Sequence, residues 1–210
     1  RNPGSPKPKP DAPEPRGRQV LPGTYKVVFE LGDSKDSTML TVKADPRLGD
    51  RNNIRVSQNA MFNRLQKSSD KLTLGMDRLN EAEELAKKME AQLKDVEGKP
   101  ADSLRKATRA IQDSIKNVRE SISGKRFERQ GYGQVPQVTV MNQLQTANRY
   151  IAAKTLTPGP QEEFLVKRAE EMVDGAIGRI NAFFDGPWKK YRQHAENTKL
   201  DLFRDYPPIQ

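Results

Sequence analysis

His194 is the only histidine of this 210-residue chain, and it stands in a polar stretch from Lys189 to Lys199. A nucleophilic triad needs a base held beside a hydroxyl or thiol by a third group, and no such constellation can be named here. One histidine without companions does not make a His-based metal site. Cysteine is absent, which removes disulfides, thiolate ligands and a Cys nucleophile. Carboxylates are plentiful at Glu81, Glu83, Glu84 and Glu90, and again at Glu162, Glu163, Glu170 and Glu171. They stand beside Lys87, Lys88, Lys167 and Arg168, so the spacing predicts solvated pairs three or four residues apart on helices. A di-metal carboxylate bundle would carry Glu-x-x-His on inner faces, and that motif is missing. No phosphate loop and no dinucleotide fingerprint occurs. No catalytic residue, cofactor or metal is therefore expected.

The remaining chemistry is basic. The formal net charge is +9, which permits binding to an anionic partner. Lys125, Arg126 and Arg129 share a glycine-rich segment with Phe127 and Tyr132, and Lys189, Lys190 and Arg192 flank Trp188 and Tyr191. Cations interleaved with aromatics suit a polyanion, either nucleic acid or an acidic glycan. These six are the candidate anion-binding residues. Helical spacing turns Trp188, Tyr191 and Ala195 inward, however, and the 124–136 segment has no aromatic strand platform. That disfavours nucleic acid and leaves a basic rim on a packed body as the plainer expectation.

These residues ride on helices. From Ile54 to Val96, apolar or small residues recur at steps of three and four: Met61, Leu65, Ser68, Leu72, Met76, Leu79, Ala82, Ala86, Met89 and Leu93. That is one face of a long α-helix, which Gly75 could interrupt. Gly98-Lys99-Pro100 ends it, and a second helix from Ala101 or Asp102 carries Leu104, Ala107, Ile111, Ile115, Val118 and Ile122. A third spans about Gln137 to Lys154, with Val140, Leu144, Ala147 and Ile151 inward. A fourth starts near Gln161 after a Thr-Pro-Gly-Pro breaker, with Leu165, Ala169, Met172, Ala176 and Ile180 inward. Gly175 and Gly178 suggest a close helix approach, and Gly186-Pro187 predicts a bend. Trp188 is expected in the core beyond it. The tally is an antiparallel bundle of about four helices. A composition of 34% hydrophobic and 31% charged residues suits it, since each helix needs only a stripe.

Residues 1–19 have the proline-rich composition of a linker. Over 20–47, Tyr25, Val27, Phe29 and Leu31 alternate with polar residues, Gly32 to Asp36 reads as a turn, and Thr38, Leu40, Val42 and Ala44 alternate again. This predicts a β-hairpin, marginal alone and carrying an apolar face. That face calls for cover, either from the rest of a β-sandwich or from the helices; the hairpin is expected to be the end of a β-sandwich, ahead of a helical region with an apolar tail over 48–210. No segment is long and apolar enough to span a bilayer.

The segments Pro22-Gly-Thr-Tyr-Lys-Val-Val-Phe-Glu-Leu-Gly32 and Leu40-Thr-Val-Lys-Ala-Asp-Pro-Arg47, followed by helices, resemble the C-terminal region of large secreted bacterial proteins. Those proteins carry sortilin/VPS10-like, BNR-repeat β-propellers and are often labelled glycosyl-hydrolase-like. The stretch from Ala176 to Ala195 and the Pro-Pro ending are similar to that family's last helix and tail. The resemblance implies a secreted, periplasmic or cell-surface bacterial protein. It also implies that any glycosidase-like site lies upstream, since the Asp-box repeat is absent here. The expected function is a non-catalytic structural or interaction module. Its partner would be another protein or the upstream domains of its own parent.

Overall fold

The computed structural model describes residues 3–4, 9, 11–13, 20–48, 51–125 and 137–199. Strands β1 (Gly23–Leu31) and β2 (Ser34–Val42) form an antiparallel hairpin, and a short 3-10 turn covers Pro46–Leu48. Five helical segments follow: α1 (Asn52–Leu93), α2 (Lys99–Ser123), α3 (Val140–Ala153), α4 (Pro160–Phe183) and α5 (Lys189–Asn197). Helices α1 to α4 pack together, so the chain is mainly α, a four-helix assembly preceded by a hairpin.

The stripes carry the packing. In α1 the buried Leu65, Leu72, Leu79, Ala86 and Leu93 stand seven residues apart. In α2 the buried series runs Ala101, Leu104, Thr108, Ile111, Ile115 and Ile122. A seven-residue repeat keeps one seam turned to its neighbours along a gently supercoiled helix. Each fully buried leucine or isoleucine is worth about 1.5–3 kcal/mol relative to exposure.

Several boundaries move. Helix α1 does not break at Gly75. The glycine is buried, and a Cβ there would lie 2.8 Å from Ile180 Cδ1 and 3.1 Å from Ile177 Cδ1. The close approach of α1 and α4 therefore occurs at Gly75. Gly175 and Gly178, expected to mark such an approach, are exposed; Gly178 has nothing within 4 Å of a built Cβ. The centre of the α4 stripe is Val166 and Val173, while Leu165 and Met172 sit half-buried on its flank. The reason is that α4 contacts α1, α2 and α3 at once. Helix α3 starts at Val140 because the Thr139 hydroxyl accepts the Asn142 N–H at 3.1 Å.

At Gly186-Pro187 the helix neither ends nor breaks. One π turn, Phe184–Trp188, carries it into α5. Proline lacks an N–H and its ring crowds the carbonyl four residues back, and a wider turn relieves both problems. An aromatic run fixes the junction. Phe183–Phe184, Phe184–Trp188 and Trp188–Tyr191 have centroids 5.1, 6.1 and 5.6 Å apart. Trp188 is half-buried against the core, not fully within it.

In the hairpin, Leu31 pairs with Ser34 across a two-residue loop, so Ser34 to Asp36 belong to β2 and not to the turn. Gly32 takes the first corner at φ +58°, where a side chain would be strained. Among the described residues, neither strand packs on a helix. Part of the proline-rich lead does touch the bundle: Pro3 is buried, and a Cβ on Gly4 would lie 3.4 Å from Met76 Cε.

Candidate functional site

The hairpin register gathers the apolar residues. Gly23 faces Val42, Tyr25 faces Leu40, and Val27 faces Thr38. Side chains two apart share a face, so Tyr25, Val27, Phe29, Leu31, Leu40 and Val42 lie together, with Thr38, Asp36 and Ser34 opposite Val27, Phe29 and Leu31 on the same side. Among the described residues no helix covers them: Leu31 is 85% exposed and Phe29 61%, while Val27 and Val42 are half-buried. The other face carries Lys26, the Thr24–Thr41 hydroxyl contact at 3.4 Å and a cross-strand Glu30–Lys35 pair, alongside Val28 and Met39. The Tyr25 hydroxyl donates to the Leu21 carbonyl at 2.6 Å, which pins the ring at the entrance to β1.

The acids are used mainly between helices. Glu83 does pair with Lys87 at 2.7 Å as spacing predicted, but it also takes Arg119 of α2 at 2.6 Å. Lys87 and then Arg119 hold its carboxyl below the ordinary range. Glu163 and Glu170 of α4 both accept from Arg64 of α1. Nη1 donates to Glu163 and Nη2 to Glu170, at 2.8 and 2.7 Å. Glu170 first, then Glu163, raises the guanidinium above its usual value. This fork ties α1 to the first turns of α4.

Glu162 was expected on a polar face and is 2% exposed. It accepts the Gly159 N–H at 2.7 Å and Lys154 Nζ at 3.1 Å. The backbone donor, followed by Lys154, lowers its pKa. It closes the first turn of α4, where an anion is favoured. The sequence held a clue, since Glu162 continues the four-three series of Val166, Ala169 and Val173. Thr108 shows the same pattern: a polar residue on a buried stripe, its hydroxyl 3.0 Å from Tyr191 Oη.

Two helix C-termini are closed by neighbouring side chains. Gln58 Nε2 donates to the Ile151 and Lys154 carbonyls, both at 2.9 Å. Arg105 Nη2 donates to those of Leu93 and Val96, at 2.8 and 2.9 Å. Both satisfy carbonyls that a helix end leaves open. Arg105 also borders a recess of about 400 Å³ lined by Asp95, Glu97 and Asp102. Its Nη1 pairs with Asp102 at 2.5 Å. Among the described residues, no group of three or more His, Asp or Glu has metal-holding geometry.

The predicted anion-binding residues fall in separate places. Arg126 and Arg129 lie outside the described residues. Lys125 follows the end of α2, whereas α5 packs on α2 at Thr108. At 1.5 Å per residue the two points are roughly 25 Å apart. Lys189 and Lys190 are exposed on α5, and Arg192 pairs with Glu196 at 3.3 Å. His194 is half-buried, with Nε2 3.5 Å from the Ser103 hydroxyl. Among the described residues, no helix is long and apolar enough to cross a membrane. Comparisons with protein-family models, with characterised proteins and with solved structures find no match to this chain.

Proposed function

We propose that this chain is a non-catalytic structural and interaction module, which braces a parent protein or docks a protein partner through its hairpin. One observation carries this function: an amphipathic hairpin stands off the bundle with its apolar face uncovered. Exposed apolar residues gathered on one face mark a contact surface more often than scattered ones do. The bundle supports the same conclusion. Its acids serve as ties and caps, with Glu163 and Glu170 bound by Arg64 and Glu162 bound by Lys154 and Gly159. The resemblance to exported bacterial β-propeller proteins extends the proposal to a cell-envelope or secreted parent. Replacing residues 23–42 with a Gly-Ser linker in the full natural gene product tests it. The expected result is a lower melting temperature for the rest of the protein, or loss of a partner from its purified complex. An unchanged protein with unchanged partners would overturn the proposal. So would hydrolysis of a glycan panel by this chain alone.

A further inference from the structure

We infer that Met76 on α1 is a seat for the Pro3-Gly4 turn of the proline-rich lead, which makes the lead a strap that fastens the hairpin segment to the bundle at a second point. The occupant is the chain's own residues 3–4, and the inference does not depend on what the hairpin docks. A linker composition by itself predicts no packing, yet the lead is anchored at one place. Lys9, Asp11, Ala12 and Pro13 are exposed, whereas Pro3 is buried and a Cβ on Gly4 would lie 3.4 Å from Met76 Cε. The turn is encoded locally. Proline presets φ at about −65° for the first central position of a type II turn, and glycine takes the second, where φ is positive. Gly4 has φ +77°. A turn preformed in this way loses little freedom on docking. Met76 suits it: the side chain is 5% exposed, and its unbranched thioether adapts to an irregular partner.

A contact this small is weak between separate molecules. Here the chain itself brings the two sides together: residues 5–51 run from the turn through the hairpin to the start of α1 at Asn52. Tethering gives the turn a local concentration on the order of millimolar at its seat. From Asn52 to Met76 the helix rises about 36 Å, at about 1.5 Å per residue, so the two attachments are well separated on α1. Among the described residues neither strand packs on a helix, so the hairpin depends on these two attachments to stay beside the bundle.

Photo-methionine in place of methionine tests the seat in this chain, with crosslinked peptides mapped by mass spectrometry. The expected result is an intramolecular crosslink from position 76 to the peptide holding Pro3 and Gly4. Gly4→Val should cut that yield about tenfold, because a β-branched residue resists φ +77°, while crosslinks from Met172 persist. No such crosslink, a crosslink between two copies, a yield that Gly4→Val leaves unchanged, or a loss shared by Met172 would each overturn the inference. The strap has its own readout. Nitroxide labels on Ser37→Cys in β2 and Lys67→Cys in α1 attach uniquely, since the chain has no cysteine of its own. Gly4→Val should widen the distance distribution between them about twofold, as a segment held at one end explores more space. An unchanged width would overturn the strap. The Gly-Ser replacement of residues 23–42 leaves residues 3–4 and Met76 in place, so failure of the docking function and failure of the strap are read separately.

Discussion

Leu40 in β2 and Leu79 in α1 are the same side chain in two settings. Leu40 is 53% exposed on a two-stranded ladder, and Leu79 is fully buried on the seam of α1. Both sit at positions that local periodicity marks as inward. In α1 the inward side meets α2, α3 and α4. In the hairpin it meets no helix among the described residues. Periodicity thus names the side that wants cover, and only packing supplies the cover. In this chain the bundle completes its own core, and the hairpin presents an unfilled one.

Paired truncations test that contrast most strongly. Leu79→Ala is expected to cost about 2–5 kcal/mol in urea unfolding of this chain, through lost transfer and a residual cavity. Leu40→Ala should cost less than about 0.5 kcal/mol, as expected for an exposed side chain. A comparable loss at Leu40 would mean that the hairpin is already packed. Next in size is Gly75→Val, which drives atoms into Ile177 and Ile180. Overpacking of this kind costs about 1–3 kcal/mol, read as a lower urea midpoint with an unchanged slope.

Arg64→Met should remove about 1 kcal/mol or less, because the fork side chains are about a third exposed and solvent screens them. High salt should shrink the difference between the two proteins. The pH dependence is finer still. The Gly159 N–H, followed by Lys154, holds the folded pKa of the Glu162 carboxyl below the ordinary glutamate range. Its contribution is therefore complete above the unfolded value and is lost as pH falls through the lower folded one. Glu162→Gln should flatten that part of the acid limb when urea midpoints are followed below pH 5. A parallel limb would show that Glu162 does not contribute to it. The smallest effect is expected in the hairpin's polar face. Lys35→Gln should change stability by less than about 0.5 kcal/mol, since the Glu30 pair is exposed.

Much of the fold was legible in advance. Four helices and a hairpin follow from steps of three and four or of two, and those steps are local properties of a short window. Gly98 and Pro100 marked the α1–α2 junction for the same reason. The features that differ from the sequence expectation depend on a neighbour. Val166 and Val173 displaced Leu165 and Met172 from the centre because α4 is flanked on several sides. Gly75 in isolation predicts a break, whereas Ile177 and Ile180 opposite it make it a contact. Pro187 by itself predicts a bend, and a single π turn absorbs it. The candidate site was legible only in part. The alternation of Tyr25, Val27, Phe29 and Leu31 was plain, but Leu40 and Val42 join that face through the register. The sequence offers two basic clusters, and α2 sets Lys125 and α5 far apart.

The amino-acid order by itself determined which segments coil, which extend, and which side of each is apolar, because those follow from backbone period and side-chain type. Tertiary structure decided who meets whom: Arg64 with Glu163 and Glu170, Gln58 with the end of α3, Thr108 with Tyr191. Each of these contacts joins residues more than forty positions apart. No local window encodes such a meeting, because it depends on how several stripes share one interior.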